Sequence, residues 1–160
     1  MLGEGSTLHG LTFGHPSIHS AVTWLDEHWP NCNAADAKRA NWNAPLARRI
    51  VAMLKGKHDE FRDVKIADSH LTPFGRKVIA ACRKIPWGYT CSYGDLAKLA
   101  GSAKAARAVG HFMSNNRTPL IVPCHRVVGS GGRLGGYSAR QGLTTKCQLL
   151  SLESDCACCG

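Results

Sequence analysis

Apolar side chains recur along this chain at helical spacing in several separate runs. Ile18, Val22 and Leu25 form the first, opened by His15-Pro16-Ser17, with Pro16 suited to a first turn. Pro45 predicts the start of a second helix, in which Leu46, Ile50 and Met53 share a face and Gly56 ends the run. Thr72-Pro73 reads as an N-cap and first-turn proline ahead of a third stripe, Phe74, Val78, Ala81 and Ile85, stopped by Pro86. Trp87 to Cys91 reads as a turn. Ser92 then caps a short helix, Tyr93 to Leu99, with Asp95 as capping-box partner. Gly101 breaks it, and Ser102 caps another, Ala103 to Met113, with Val109, Phe112 and Met113 as its core stripe. Strands are predicted at Leu11–Phe13 (closed by Gly14), Phe61–Ile66 and Leu120–Val122. Asn31 to Asn43 is polar, with two Asn-rich turns, and Asp68 to Pro73 reads as a linker. The pattern divides the chain into a lobe over 1–67 and a second over 68–160.

Two short helices joined by a glycine-containing turn are a helix-turn-helix candidate. The second is rich in small residues: Ala103, Ala105, Ala106, Ala108 and Gly110. Lys104 and Arg107 project from that face. Small side chains let a backbone approach phosphates, which the two cations could engage. A tightly packed core helix carrying two solvated cations fits the pattern equally well.

Charge changes the picture. The formal net charge is +9 and the pI about 9.4, which favours a polyanionic partner, nucleic acid first. No stretch approaches the apolar length of a membrane span, and Met1 to Gly10 lacks the form of a secretory signal. A cytoplasmic or nuclear protein without membrane association is expected. The eight cysteines include no CxxC pair, and Cys156, Cys158 and Cys159 crowd the tail. Neither a disulfide framework nor a zinc ribbon is predicted, and no metal or cofactor is expected.

Pro123-Cys124-His125-Arg126-Val127-Val128 carries the chemistry. A histidine beside a cysteine can help form a thiolate nucleophile, although most buried cysteines are inert. The hexapeptide resembles the active-site signature of the methylated-DNA–protein-cysteine methyltransferases, also called alkylguanine-DNA alkyltransferases. Cys91 to Ala97 resembles that family's first recognition-motif helix, and Lys104 to Gly110 its DNA-reading helix. Asn115-Asn116 before Pro119 is similar to its asparagine hinge, and Gly135 to Ser138 to its active-site loop. The resemblance covers roughly residues 69 to 153.

It implies an α+β fold: a small N-terminal α/β lobe with a short sheet, then a mainly helical lobe with a winged-helix-like helix-turn-helix. It implies a monomer that moves an alkyl group irreversibly from O6 of guanine in double-stranded DNA to its own cysteine, with O4 of thymine a further candidate. By the same resemblance Cys124 is the nucleophile and His125 a general base acting through a water. Glu153, at the end of a C-terminal helix Leu143 to Leu152, orients His125. Tyr93 donates to the leaving guanine, and Asn116 braces the active-site turn. Ser138, Val127, Met113 and Gly135 are implied in the base pocket, with the Cys124 and Val127 carbonyls accepting from the exocyclic amine. Arg107, Lys104, Ala106, Ser92 and Ser114 are implied at the DNA, Arg107 filling the space of a flipped base in the minor groove. Ser138 to Gly142 looks longer than the family's loop, and the first lobe looks short, with only Leu11–Phe13 standing for the family's opening hairpin. Two other readings stay open: an alkyltransferase-like lesion sensor, a class with tryptophan where Cys124 stands here, and a winged-helix regulator.

Overall fold

The computed structural model describes residues 1–29, 42–137 and 142–154. Most of the polar stretch that begins at Asn31, as far as Asn41, lies outside the described residues, as do the loop insertion at Ser138 to Gln141 and the tail cysteines. Among the described residues the fold is α+β. Strand β1 (Leu2–Glu4) turns at Gly5, whose φ is +56°, into antiparallel β2 (Thr7–Gly10). The opening hairpin is thus present, upstream of the strand expected at Leu11–Phe13. That segment leaves the sheet because the Leu11 N–H donates to the Arg117 carbonyl at 2.8 Å.

Helix α1 (Ile18–His28) starts later than the proline suggests. Ser17 is its cap, accepting from the Ser20 N–H, so Pro16 lies outside the first turn. Ile18 is 63% exposed and Leu25 carries the burial. Helix α2 (Ala44–Met53) begins one residue before Pro45, capped by Asn43, and buries Leu46, Ile50 and Met53, as their spacing requires. Strand β3 (Lys65–Ile66) adds parallel to β2 and is far shorter than the expected Phe61–Ile66. Phe61 sits at φ +48°, its N–H turned onto the Asp59 carboxylate, and a turn cannot continue a strand.

Helix α3 (Pro73–Cys82) is capped by Thr72 and stops before Ile85, which is buried in the turn that follows. Strand β4 (Cys91–Ser92) leads into helix α4 (Tyr93–Leu99). Ser92 caps it, but Asp95 takes the Ser92 hydroxyl at 2.6 Å rather than its backbone N–H. Helix α5 (Ala106–Ser114) begins three residues later than expected. The Ser102 carbonyl closes a turn onto the Ala105 N–H instead of capping, which leaves Lys104 ahead of the helix. The predicted strand Leu120–Val122 is a tight turn with Leu120 at φ +73°. Strand β5 (Val127–Val128) pairs in parallel with β4, and helix α6 (Leu143–Glu153) follows.

One core holds Val78, Leu96, Val109, Met113 and Cys124 between α3, α4, α5 and the Cys124 turn. Gly75 lets α3 meet α5: a Cβ there would lie 2.5 Å from the Phe112 ring. A second core draws from both sides of residue 67, joining Leu8, Leu46 and Phe61 to Leu120, Ile121 and Leu149. No described helix is long and apolar enough to cross a membrane.

Helix α4 offers a direct test of this packing. Leu96 is 0% exposed and Leu99 69%. Leu96→Ala should cost about 2–5 kcal/mol in urea unfolding, and Leu99→Ala about 0.5 kcal/mol or less. Equal losses would mean that α4 does not pack as described.

Candidate active site

Asn116 follows α5 and organises the turn that carries Cys124. Its Oδ1 accepts from the Thr118 N–H, and its Nδ2 donates to the Val122 carbonyl and to Cys124 Sγ, each at 3.0 Å. Cys124–Arg126 then forms a 3-10 turn in which all three side chains are buried. Pairing of β4 with β5 brings Tyr93, the first residue of α4, to the same region.

Burial pushes the Cys124 thiol up. The Asn116 amide and the charge of Lys146 pull it the other way without overcoming burial. A thiolate here therefore needs a nearby proton acceptor. His125 is the candidate. Its Nε2 lies 2.8 Å from Glu153 Oε1, and among the described residues its buried Nδ1 has no partner.

Arg126 decides the state of that histidine. Its Nε and Nη2 donate to both oxygens of Glu153 at 2.8 and 2.9 Å, and its Nη1 donates to the Ile85 carbonyl at 2.7 Å. Burial alone would raise the Glu153 carboxyl, but the bonds from His125 and Arg126 outweigh it and hold the group at about 2. Burial pushes His125 down, against the pull of Glu153. Burial outweighs that pull, and the nearby charges of Arg126 and Lys146 add to it, so the imidazole stays neutral. It donates Nε2–H to Glu153 and keeps the Nδ1 lone pair for a proton.

Lys146 and Arg126 escaped the sequence reading. Lys146 is fully buried, its Nζ donating to the Val127 carbonyl at 2.6 Å and reaching the Gly135 carbonyl at 3.4 Å. One signal was available: Lys146, Leu149 and Glu153 fall at i, i+3 and i+7, one helix face. Gly135 abuts Tyr93, since a Cβ there would lie 2.8 Å from the phenol oxygen. Burial raises the Tyr93 phenol, which keeps its proton. Tyr137 also faces this region, its buried hydroxyl without a partner among the described residues.

Met113 sits in the core that holds Cys124. Arg107 and Lys104 are exposed, Ala106 half-buried. The Ser92 hydroxyl is engaged in capping α4, and the exposed Ser114 hydroxyl donates to the His111 carbonyl. Ser138 lies outside the described residues. Among the described residues no three His, Cys, Asp or Glu side chains gather as a metal site.

Comparison with known proteins gives a consistent picture. The family profile described as 6-O-methylguanine DNA methyltransferase, DNA binding domain, matches residues 73–155. A methylated-DNA–protein-cysteine methyltransferase of Methanosarcina acetivorans is 46% identical over 112 residues, covering 69% of this chain and 68% of its own. One from Mycobacterium leprae is 38% identical over 154 residues, covering 96% and 84%. The crystal structure of the Mycobacterium tuberculosis O6-methylguanine methyltransferase superposes with a TM-score of 0.74 at 34% identity, covering 99% of this chain and 87% of that one. The M. tuberculosis protein called OGT, solved in complex with DNA, gives 0.70 at 32%, covering 95% and 84%.

The buried triad fixes a pH dependence. Glu153 is held below its ordinary 4.5, so its contribution to stability is present above pH 4.5 and lost as pH falls toward about 2. His125 is held below its ordinary 6.5 and has the same sign, with its contribution lost below 6.5. Urea midpoints should therefore fall progressively from pH 6.5 downward. Glu153→Gln should cost about 3–5 kcal/mol at neutral pH, because it leaves the buried Arg126 charge with only the longer Glu60 contact, and should flatten the limb below pH 4.5. A parent midpoint that stays level between neutral pH and pH 3 would contradict this account.

Proposed function

The chain belongs to the methylated-DNA–protein-cysteine methyltransferase family, and on that premise we propose that it repairs DNA by taking an alkyl group from O6 of guanine onto Cys124. The observation that carries the residue assignment is a buried Cys124 thiol, held by Asn116, next in the chain to a buried neutral His125 backed by Glu153 and Arg126.

Cys124 loses its proton to His125 Nδ1 through a water, and Glu153 stabilises the imidazolium that forms. Asn116 and Lys146 favour the thiolate. The sulfur attacks the alkyl carbon in line. An S–C bond forms, the C–O6 bond breaks, and its electron pair passes into the guanine ring. Tyr93 donates a hydrogen bond to that ring as charge builds, and the proton taken up by His125 returns through water to the departing guanine. The displacement balances without a cofactor. The thioether has no route back to a thiol, so each molecule acts once.

A guanine in a duplex must leave the stack to reach a buried thiol. Arg107, exposed on the first turn of α5, fills the vacated space, and the slim alanine-bearing end of that helix suits the minor groove. Lys104 and Arg107 supply phosphate affinity with little sequence preference. Cys124 separates this reading from a lesion sensor. The shortage of base-reading polar groups on α5 separates it from a regulator.

Mass analysis after incubation with an oligonucleotide carrying O6-methylguanine should find one methyl group, on the Cys124 peptide. Cys124→Ala should abolish uptake and keep lesion-DNA affinity. Methyl on another cysteine would overturn the assignment. Arg107→Ala should slow repair of duplex DNA about ten- to a hundredfold more than reaction with the free alkylated base, because the arginine acts on stacking alone. Equal losses on the two substrates would remove it from the flipping step.

A further inference from the structure

Arg126 faces more negative charge than Glu153 alone supplies. Its Nη1 also reaches Glu60 Oε2 at 3.5 Å. Glu60 comes from the chain before β3, far from the Cys124 turn in sequence. It is held to this task from the other side: Oε1 accepts the Trp87 N–H at 2.9 Å, and the Arg126 guanidinium lies 5.7 Å over the Trp87 ring. Burial opposes ionisation of Glu60, but the Trp87 N–H, His58, Arg126 and Arg62 outweigh it and hold the carboxyl low.

The local charges then count unevenly. Arg126 is one fixed cation between two anions, Glu60 and Glu153. With neutral His125 this end of the site carries an excess of one negative charge. When His125 takes the thiol proton, the excess is cancelled. The other end closes as well, because Lys146 faces the thiolate left on Cys124. Without Glu60, Arg126 and Glu153 would be balanced before the proton arrived, and the imidazolium would be a buried cation in excess. The remaining groups facing this cluster weigh less. Cys82 and Cys91 are thiols raised by burial, and Arg62 and His58, at 3.8 and 3.3 Å from Glu60, are 63% and 62% exposed, so solvent screens the charge they carry.

We propose that Glu60 is a positioning residue for alkyl transfer: acting through Arg126, its carboxylate leaves Glu153 free to stabilise the imidazolium of His125. The proposal rests on His125 serving as the base. It gives the first part of the chain a direct part in setting the reactivity of the thiol.

The test is single-turnover transfer from an O6-methylguanine oligonucleotide to the full chain across neutral and alkaline pH. Glu60→Gln keeps an oxygen for the Trp87 N–H and removes the charge. Its rate at neutral pH should fall about tenfold, the equivalent of one pKa unit at His125. In alkali, where the thiolate forms without help from His125, the rate should converge with the parent's. Glu60→Asp keeps the charge but withdraws it from Arg126, and should show a smaller loss of the same shape, which carries the test if the Gln variant does not fold. Overlaid profiles, or a uniform loss at every pH, would overturn the proposal. Glu153→Gln separates the two levels. If it shows no selective neutral-pH loss, the base assignment fails and Glu60 falls with it. If it shows that loss and the Glu60 variants do not, the role of Glu60 alone is lost.

Discussion

A carboxylate that must stay ionised in the interior sets the terms for this molecule. Removing Glu153 from water costs several kcal/mol unless partners replace the solvent. Two segments supply them. The 3-10 turn gives His125 and Arg126 together, and the chain before β4 gives the Gly88 N–H at 3.4 Å. Gly88 sits at φ +77° against the end of α6, where a Cβ would meet the Glu153 carbonyl at 3.0 Å. The last turn of the last helix is therefore pinned in part by a residue that precedes it by more than 60 positions. Position, tautomer and charge of the imidazole all follow from that anchoring.

The nucleophile lives under the opposite constraint. A dry environment protects the thiol and raises its pKa, so the protein has to lower the cost of the thiolate locally. It does so with the Asn116 amide, the buried Lys146 ammonium and backbone hydrogen bonds of the Cys124–His125 turn. Asn116 serves twice: a single side chain closes the Thr118–Val122 turn and addresses the sulfur. The positive φ of Leu120 belongs to the same turn. Backbone strain at that residue is tolerated because the Asn116 bonds and the burial of Leu120 and Ile121 fix the turn from both sides.

Much of this was legible in the sequence. Helical periodicity located α2 and α3, and the caps Thr72 and Ser92 marked the starts of α3 and α4, because caps and stripes are local properties. Cys124, His125, Glu153 and Asn116 came from the motif resemblance, and the geometry brings those four together. The misreadings share a cause. Leu120–Val122 has the composition of a buried strand, but its burial comes from a turn held by Asn116. Ser102 looks like a cap, yet the backbone closes a turn there and the helix starts only at Ala106. Leu11 is placed by a bond to Arg117, and Phe61 by a local turn onto Asp59 that Arg83 and the second core hold from far along the chain. Lys146 and Glu60 were missed because a charged residue reads as solvent-facing until the fold shows what surrounds it.

The second core leaves this protein without a place to be cut. Leu8, Leu46 and Phe61 share their interior with Leu120, Ile121 and Leu149, and the Arg83 guanidinium binds carbonyls of Phe61 and Val64 across the same seam. A fragment starting after residue 67 would keep every group of the alkyl-transfer site except Glu60. It would also present a raw apolar surface formed by the turn that carries the nucleophile and by the helix that carries Glu153. The part of the chain before residue 68 is in this sense the back wall of the reaction chamber. Its sequence can drift only as far as that wall still fits.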